Sequence, residues 1–576
     1  MTEPAVPRFA RRLFDPDRRI SRIGDGPLGG KARGLVTAAA ILADRRAELA
    51  LPGIAFDVPA LVVLAADAFD AFLDRNDLRP LLAEEPSDES LGLAFRRATL
   101  PAEWLGDLRA VAEHARCPLA VRSSSVLEDA RESPFAGVYG TKMIPGNQPD
   151  TDSRFRSLVD AVKFVYASTF SREARAYRLA LGERPEEERM AVLVQEVVGR
   201  HHHTRFYPDL SGVAHSWNFY PSGPARPEEG VASLALGLGK TIVDGGSCWS
   251  FSPAHPDRPP PVGSARELLE LTQSEFWAIG TGPPPPYDPM AEAEYLVRSG
   301  LGEAEVDGTL RHAASTWDPA AERIVPGLSR PGPRVLDFAP ILVRREVPLV
   351  EALRRLVAAS EDTLNAPVEI EFAVTLAPRE PARFGFLQIR PLLVSSRQVD
   401  VTAGELDGAD VVVASTSALG NGTREVRDVV FVERAGFERG LTPKVALELE
   451  TLNRALVEAA RPYLLIGFGR WGSADPWLGI PVRWDQIGGA RGIVETTLPD
   501  VSVEPSQGSH FFHNLSSFEV LYFTVSPAAG RGIDWDWLEK QEIVARTDHA
   551  RHVRTARPLL LRVDGRTRRG VVQRRA

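Results

Sequence analysis

The chain has 576 residues, 44% apolar and 25% charged, with a net charge of −9, a size too great for one core and sufficient for roughly three or four packed domains. The acidic balance argues against a general nucleic-acid binder, which needs an excess of Lys and Arg. Two cysteines, Cys117 and Cys248, exclude a disulfide framework, and the absence of a signal-like or membrane-length apolar run makes a soluble, cytoplasmic protein the expectation.

Residues 21–43, SRIGDGPLGGKARGLVTAAAILA, run from a glycine-rich loop into an alanine-rich amphipathic helix. Gly29 and Gly30 permit close backbone approach, and Lys31 can reach a phosphate beside the unpaired N–H groups of the helix start. The spacing is not that of a P-loop. Lysine is scarce, six of 68 basic residues, which favours positions for it where a compact ammonium is wanted. A strand over 56–63 and a helix over 66–73 follow.

Residues 119–142, LAVRSSSVLEDARESPFAGVYGTK, read as a buried strand delivering Arg122 and three serines to the rim of a cleft. A turn at 133–137 and a second extended piece then end in Thr141 and Lys142. Such a hairpin can close over a polyphosphate, with Arg122, Thr141 and Lys142 supplying charge and hydroxyl contacts. A surface hairpin is the alternative.

Residues 155–178 have the period of a core-facing helix, and 190–198, MAVLVQEVV, that of a strand with Gln195 near its end. His201, His202 and His203 alternate sides, cannot share a metal and read as an exposed loop. Residues 233–246 couple an apolar run to a glycine-rich turn holding Lys240 and then a second short strand. From 253 to about 335 the chain is rich in Pro and Gly and reads as an insertion with long loops and a helix near 291–298. Two strands, PVEIEFAV at 367–374 and FGFLQIRPL at 384–392, place Glu369 with Glu371, and Gln388 with Arg390, on shared faces. Two carboxylates opposite a cation suit Mg²⁺ with a polyphosphate.

In this order, GGK, VRSSS with SPFAG and Thr141, the glutamine strand, GLGK, and the closing acidic pair with LQIRP resemble the nucleotide-binding domain of the pyruvate, phosphate dikinase and phosphoenolpyruvate synthase family over about 20–395. The resemblance implies an ATP-grasp fold binding ATP and Mg²⁺. It implies that Lys31, Arg122 and Thr141 hold phosphates, that Gln195 lies at the nucleotide pocket, that Glu369 and Glu371 hold the metal, and that Gln388 and Arg390 complete the phosphate end. Glu369 stands where the family usually has aspartate. Lys240 replaces the family's glutamate, reversing a charge near the expected nucleotide.

Beyond residue 397 the pattern breaks, and too few residues follow for both the phosphohistidine domain and the barrel of full dikinases. Alternating elements at 409–414, 442–461, 463–466 and 492–495 read as a separate α/β domain. Its loop GFGRWGSADPW at 467–477 suits an anion or polar substrate. A second loop, SQGSHFFHNLSS at 506–517, brings together His510 and His513. Its Gly-Ser-His core resembles the Thr-Ser-His of the family's phosphohistidine motif, though the surrounding residues do not match. That resemblance implies His510 as a phosphoryl acceptor, with a hydrogen-bonded structural histidine as the alternative. An acidic helix is expected at 534–544, then an arginine-rich, solvated hairpin about Asp564-Gly565.

The reading is an α/β protein with an ATP-grasp lobe at 1–110, a second lobe at 111–398, an α/β domain at 399–530 and a tail at 531–576. Its expected activity is ATP-dependent phosphoryl transfer catalysed through Arg122, Arg390 and His510. The acceptor is an undetermined small molecule or protein, and neither nucleic acid nor membrane is a partner. A regulatory nucleotide-binding module, favoured by Lys240, and an ATP-grasp ligase are the rival readings.

Overall fold

The computed structural model describes residues 6–12, 18–125, 137–180, 188–260, 264–392, 399–435, 437–473, 475–496, 510–525, 532–565 and 567–575. The expected turn at 133–136 lies outside them. The chain divides into two compact units, Met1–Ile242 with Ser247–Leu392, and Val243–Gly246 with Leu393–Ala576. Both are mixed α/β, as the sequence predicts.

The first unit holds two large sheets. One has five strands in the order Ile20–Ile23, Leu61–Leu64, Met190–Glu196, Leu119–Ser125, Thr141–Ile144. The other has six, in the order Trp249–Phe251, Val231–Ala235, Leu210–His215, Val368–Thr375, Ala382–Pro391, Ile54–Asp57, antiparallel except for the last pair. Alternation sends Ile370, Phe372 and Ile389 into a core shared with two helices. Helix Gly30–Asp44 contributes Ala32, Leu35, Ala38 and Ile41, spaced by three along one face, and helix Leu349–Leu364 contributes Leu349, Leu353 and Leu356. Gly34 lets the first helix lie directly on its strand, since a Cβ there would stand 2.6 Å from the Ile389 carbonyl oxygen. The expected helix at 155–178 is two, Thr151–Ser168 and Arg172–Ala180; Asp150 caps the first by accepting from the Ser153 N–H at 2.7 Å.

The described residues of 253–335 hold more regular structure than their Pro and Gly content predicts. Strand Glu275–Gly280 pairs with Leu296–Gly300 and with Arg205–Tyr207, and Ala314–Asp318 centres a three-stranded sheet. The helix expected near 291–298 is a series of turns followed by the strand beginning at Leu296. Its fold is dictated from afar: the buried Lys142 ammonium donates to the carbonyls of Asp288 (3.2 Å), Pro289 (3.0 Å) and Ala291 (2.6 Å) and pairs with Glu294 at 2.7 Å. Two further expectations are corrected. The histidine run is a tight hairpin, Arg200–His202 against Arg205–Tyr207, turning at His203 with φ 52°. The second strand expected near 240 is one helical turn, Lys240–Val243.

The second unit is built on a nine-stranded sheet in which Gly422–Val432, Tyr463–Phe468, Ala490–Thr496 and Leu521–Val525 run parallel in consecutive positions. Helix Thr442–Glu458, expected over 442–461, connects the first two. The loop expected at 506–517 is, from His510 onward, the helix His510–Ser517. The acidic helix at 534–544 is a single turn, Trp535–Leu538, followed by strand Glu542–Arg546, where adjacent Ile543 and Val544 favour extended backbone. The hairpin about Asp564-Gly565 is present, but it is no solvated tail: Leu559, Leu561, Val563 and Val572 are buried in the unit's core.

Candidate functional site

The polar face of the six-stranded sheet carries two rows of side chains in register. One is His215, Glu369, Arg390; the next is Val213, Glu371, Gln388. In the first row Arg390 Nε donates to Glu369 Oε1 at 2.7 Å, and His215 Nε2 lies 2.5 Å from Oε2. All three residues are at most 5% exposed. Both oxygens of Glu369 are therefore engaged, whereas Glu371, half-buried beyond it, remains reachable from solvent.

Arg122 comes to this face from the five-stranded sheet. Its Nη1 donates to the Leu387 carbonyl at 3.0 Å and to Gln195 Oε1 at 3.4 Å, and its Nη2 to Gln388 Oε1 at 2.8 Å and Glu371 Oε2 at 3.4 Å. Residues from three strands thus meet around one guanidinium, whose planar fork suits several acceptors at once. The Nε2 of Gln195 is buried with no hydrogen-bond partner among the described residues. Thr141 is the cross-strand neighbour of Arg122 and is half-buried.

The serines after Arg122 serve the glycine-rich loop. Ser124 Oγ accepts from the Ala32 N–H at 3.0 Å and donates to the Leu28 carbonyl at 2.8 Å, and Lys31 Nζ donates to Ser123 Oγ at 3.2 Å. Gly29, at φ 80°, is required where it stands, because a Cβ there would fall 1.8 Å from the Ser124 carbonyl oxygen. Lys31 is thereby tied to the residue that follows Arg122 in its strand. Substituting Ser124 by alanine removes a helix-start acceptor and is expected to cost about 1 kcal/mol, read as a lowered urea midpoint with the far-ultraviolet spectrum unchanged.

The Arg122 hydrogen bonds to Gln195, Glu371, Leu387 and Gln388 do not involve the other predicted residues. Lys142, a neighbour of Thr141, points the other way into the carbonyl cage; burial pushes its ammonium below the usual lysine range, with Glu294 opposing. It is a structural cation, which corrects the expectation of a phosphate contact. Lys240 stands 3.7 Å from Glu292 and 5.9 Å from the Trp277 ring centroid. His510 opens a helix of the second unit and is half-buried; the His513 side chain lies outside the described residues. His215 and the Leu387 carbonyl were missed in the sequence. His215 ends an ordinary apolar strand, and its alignment with Glu369 depends on a pairing between strands about 150 residues apart, which local periodicity does not encode.

No helix among the described residues is long and apolar enough to cross a membrane. The family model for the pyruvate phosphate dikinase AMP/ATP-binding domain matches residues 26–408. The chain is similar to a phosphoenolpyruvate synthase of Aeropyrum pernix, 29% identical over 308 residues, which are 53% of this chain and 32% of that protein's length. With the greater part of its length matched by that model, the chain belongs to the pyruvate phosphate dikinase AMP/ATP-binding domain family.

Proposed function

We propose that the first unit is an ATP-grasp-like module that binds Mg·ATP and transfers a phosphoryl group to an acceptor still to be identified. The observation that carries this reading is the convergence of Arg122 with Gln195, Glu371 and Gln388 from strands of two sheets. Phosphoryl transfer asks a protein mainly for positioning and charge neutralisation, and this cluster offers both.

Lys31, Arg122 and Thr141 would hold phosphate oxygens, with Gln195 at the nucleotide pocket and Lys240 as a further cationic contact. A magnesium ion suits the oxygen donors present: Glu371 and the Gln388 amide oxygen would hold it, with Glu369 beside them. When bound, it would neutralise charge between the phosphates. Arg390 fixes the Glu369 carboxylate in place, so the acidic pair meets the ligand preset. In the free protein Arg122 is satisfied by Gln388, Glu371, Gln195 and the Leu387 carbonyl. Phosphate oxygens would have to replace some of these acceptors, making its guanidinium the group that exchanges partners on binding.

The charge reversal at Lys240 favours a second reading, a nucleotide-binding regulatory module with little turnover. Incubation with Mg·ATP, with nucleotide products and acid-labile protein phosphate followed together, separates the two. AMP or ADP formed with phosphoryl transfer supports the enzyme, and AMP with phosphate on His510 would identify the acceptor. Nucleotide binding without product formation would overturn the catalytic reading in favour of the regulatory one.

A further inference from the structure

The second unit carries a buried polar cluster of its own. Ligands of open parallel sheets gather at the carboxyl ends of the strands. At that end of the four parallel strands, Glu495 lies in register between Gly467 and Thr524 and is 1% exposed. Tyr522 donates its hydroxyl hydrogen to Glu495 Oε2, while Oε1 is buried with no hydrogen-bond partner among the described residues. Thr524 Oγ1, on the adjoining strand, and Arg470 Nε, three residues past Gly467, are buried and unpartnered in the same sense. Arg470 Nη1 donates to the Gly245 carbonyl of the same unit at 3.4 Å. Unsatisfied buried polar atoms are few in native proteins and each needs a reason; two on neighbouring strand ends and a third just past the next strand point to a missing ligand.

The glycines here do not supply it with backbone contacts. A Cβ on Gly467 would lie 2.4 Å from the Trp471 ring and one on Gly472 2.3 Å from the Phe511 ring, so both make room for aromatic packing. The N–H groups of Gly469 and Gly472 donate to the Thr496 and Ile480 carbonyls, at 3.0 and 2.9 Å. Recognition is left to side chains. Because Tyr522 donates to Oε2, a proton on the carboxyl resides on Oε1, and the three unpartnered groups can then all be donors: a carboxyl O–H, a hydroxyl and a guanidinium N–H. Three donors at one end of the sheet, one of them cationic, fit an anion with several acceptor oxygens.

We propose that Glu495, Thr524 and Arg470 form a binding site in the second unit for a small oxyanion, the carboxylate or phosphate group of a ligand. Burial pushes the Glu495 carboxyl up to about 7, against the lowering effects of the Tyr522 hydrogen bond and the Arg470 charge, the two titratable or charged groups acting on it. The protonated form is the donor. Affinity is therefore flat below that value and falls about tenfold per pH unit above it.

The test is calorimetric titration of the full chain, without nucleotide, with sulfate as a tetrahedral probe and acetate as a planar one, at about pH 6 and about pH 8.5. Neither probe titrates in this range, and the preferred probe tells a phosphate from a carboxylate site. Saturable binding at the lower pH, weaker by about tenfold or more at the higher, is expected. Arg470→Met and Thr524→Val should weaken it, and Arg122→Ala should leave it unchanged, which separates this site from phosphate binding in the first unit. Glu495→Gln keeps a donor and the side-chain shape, so it should retain binding and lose the pH dependence; this arm decides the matter if Arg470→Met fails to fold. No saturable binding of either probe, or binding that neither Arg470→Met nor Glu495→Gln alters, overturns the proposal.

Discussion

Arg122→Ala is expected to lower turnover of Mg·ATP by about 10²–10³-fold, on the order of 3–4 kcal/mol of transition-state stabilisation. The argument is geometric. Arg122 is the one cation found in hydrogen-bond contact with Gln195, Glu371 and Gln388 together among the described residues, and an alanine supplies neither the charge nor the fork. Arg122→Lys should recover little, because a point-like ammonium cannot address acceptors from three strands at once. Initial rates of nucleotide consumption measure the effect, with a thermal melt of each variant as the control. A folded Arg122→Ala protein with rates within about threefold of the parent, far inside the 10²-fold loss, would refute the role.

The largest effect on stability is expected at Glu369. Removing it as Glu369→Ala leaves the Arg390 guanidinium and His215 buried without the carboxylate that both face, and breaking such a pair costs about 3–5 kcal/mol. Urea denaturation of the full chain should show the first unit's transition moved to lower concentration. Replacing Glu369 and Arg390 together by apolar residues of similar volume should restore much of the loss, since the unpaired charge and not the absent bond is what destabilises. A cost under about 1 kcal/mol, the level of an ordinary neutral hydrogen bond, would mean that the row is not the unit the geometry describes.

The site was more legible in the sequence than the chain around it. Period-two alternation placed Glu369 with Glu371 and Gln388 with Arg390, and those strands pair in that register. The same local rule could not tell Glu369, with both oxygens engaged, from Glu371, which remains reachable, because that difference is set by His215 on a strand distant in sequence. Lys142 teaches the same lesson: beside Thr141 it read as a phosphate contact, yet carbonyls about 150 residues away captured it. Those contacts also explain why the Pro- and Gly-rich region around 253–335 is ordered despite a composition that reads as loop. In the second unit, helix Thr442–Glu458 and the strands Val411–Ser415, Tyr463–Phe468 and Ala490–Thr496 followed from local pattern, whereas the parallel strands Gly422–Val432 and Leu521–Val525 were missed. The strand Ala550–Asp564 was disguised by Arg551, Arg554, Arg557 and Arg562, which give a strand that buries Leu559, Leu561 and Val563 the composition of a basic tail.

Isothermal titration of Mg·ATP into the full chain tests the central claim most directly. The account predicts one saturable site per chain, with affinity falling by an order of magnitude or more, about 1.4 kcal/mol per tenfold, in Arg122→Ala and in Glu371→Gln. Absence of uptake by the parent protein, or uptake unchanged in both variants, would contradict it.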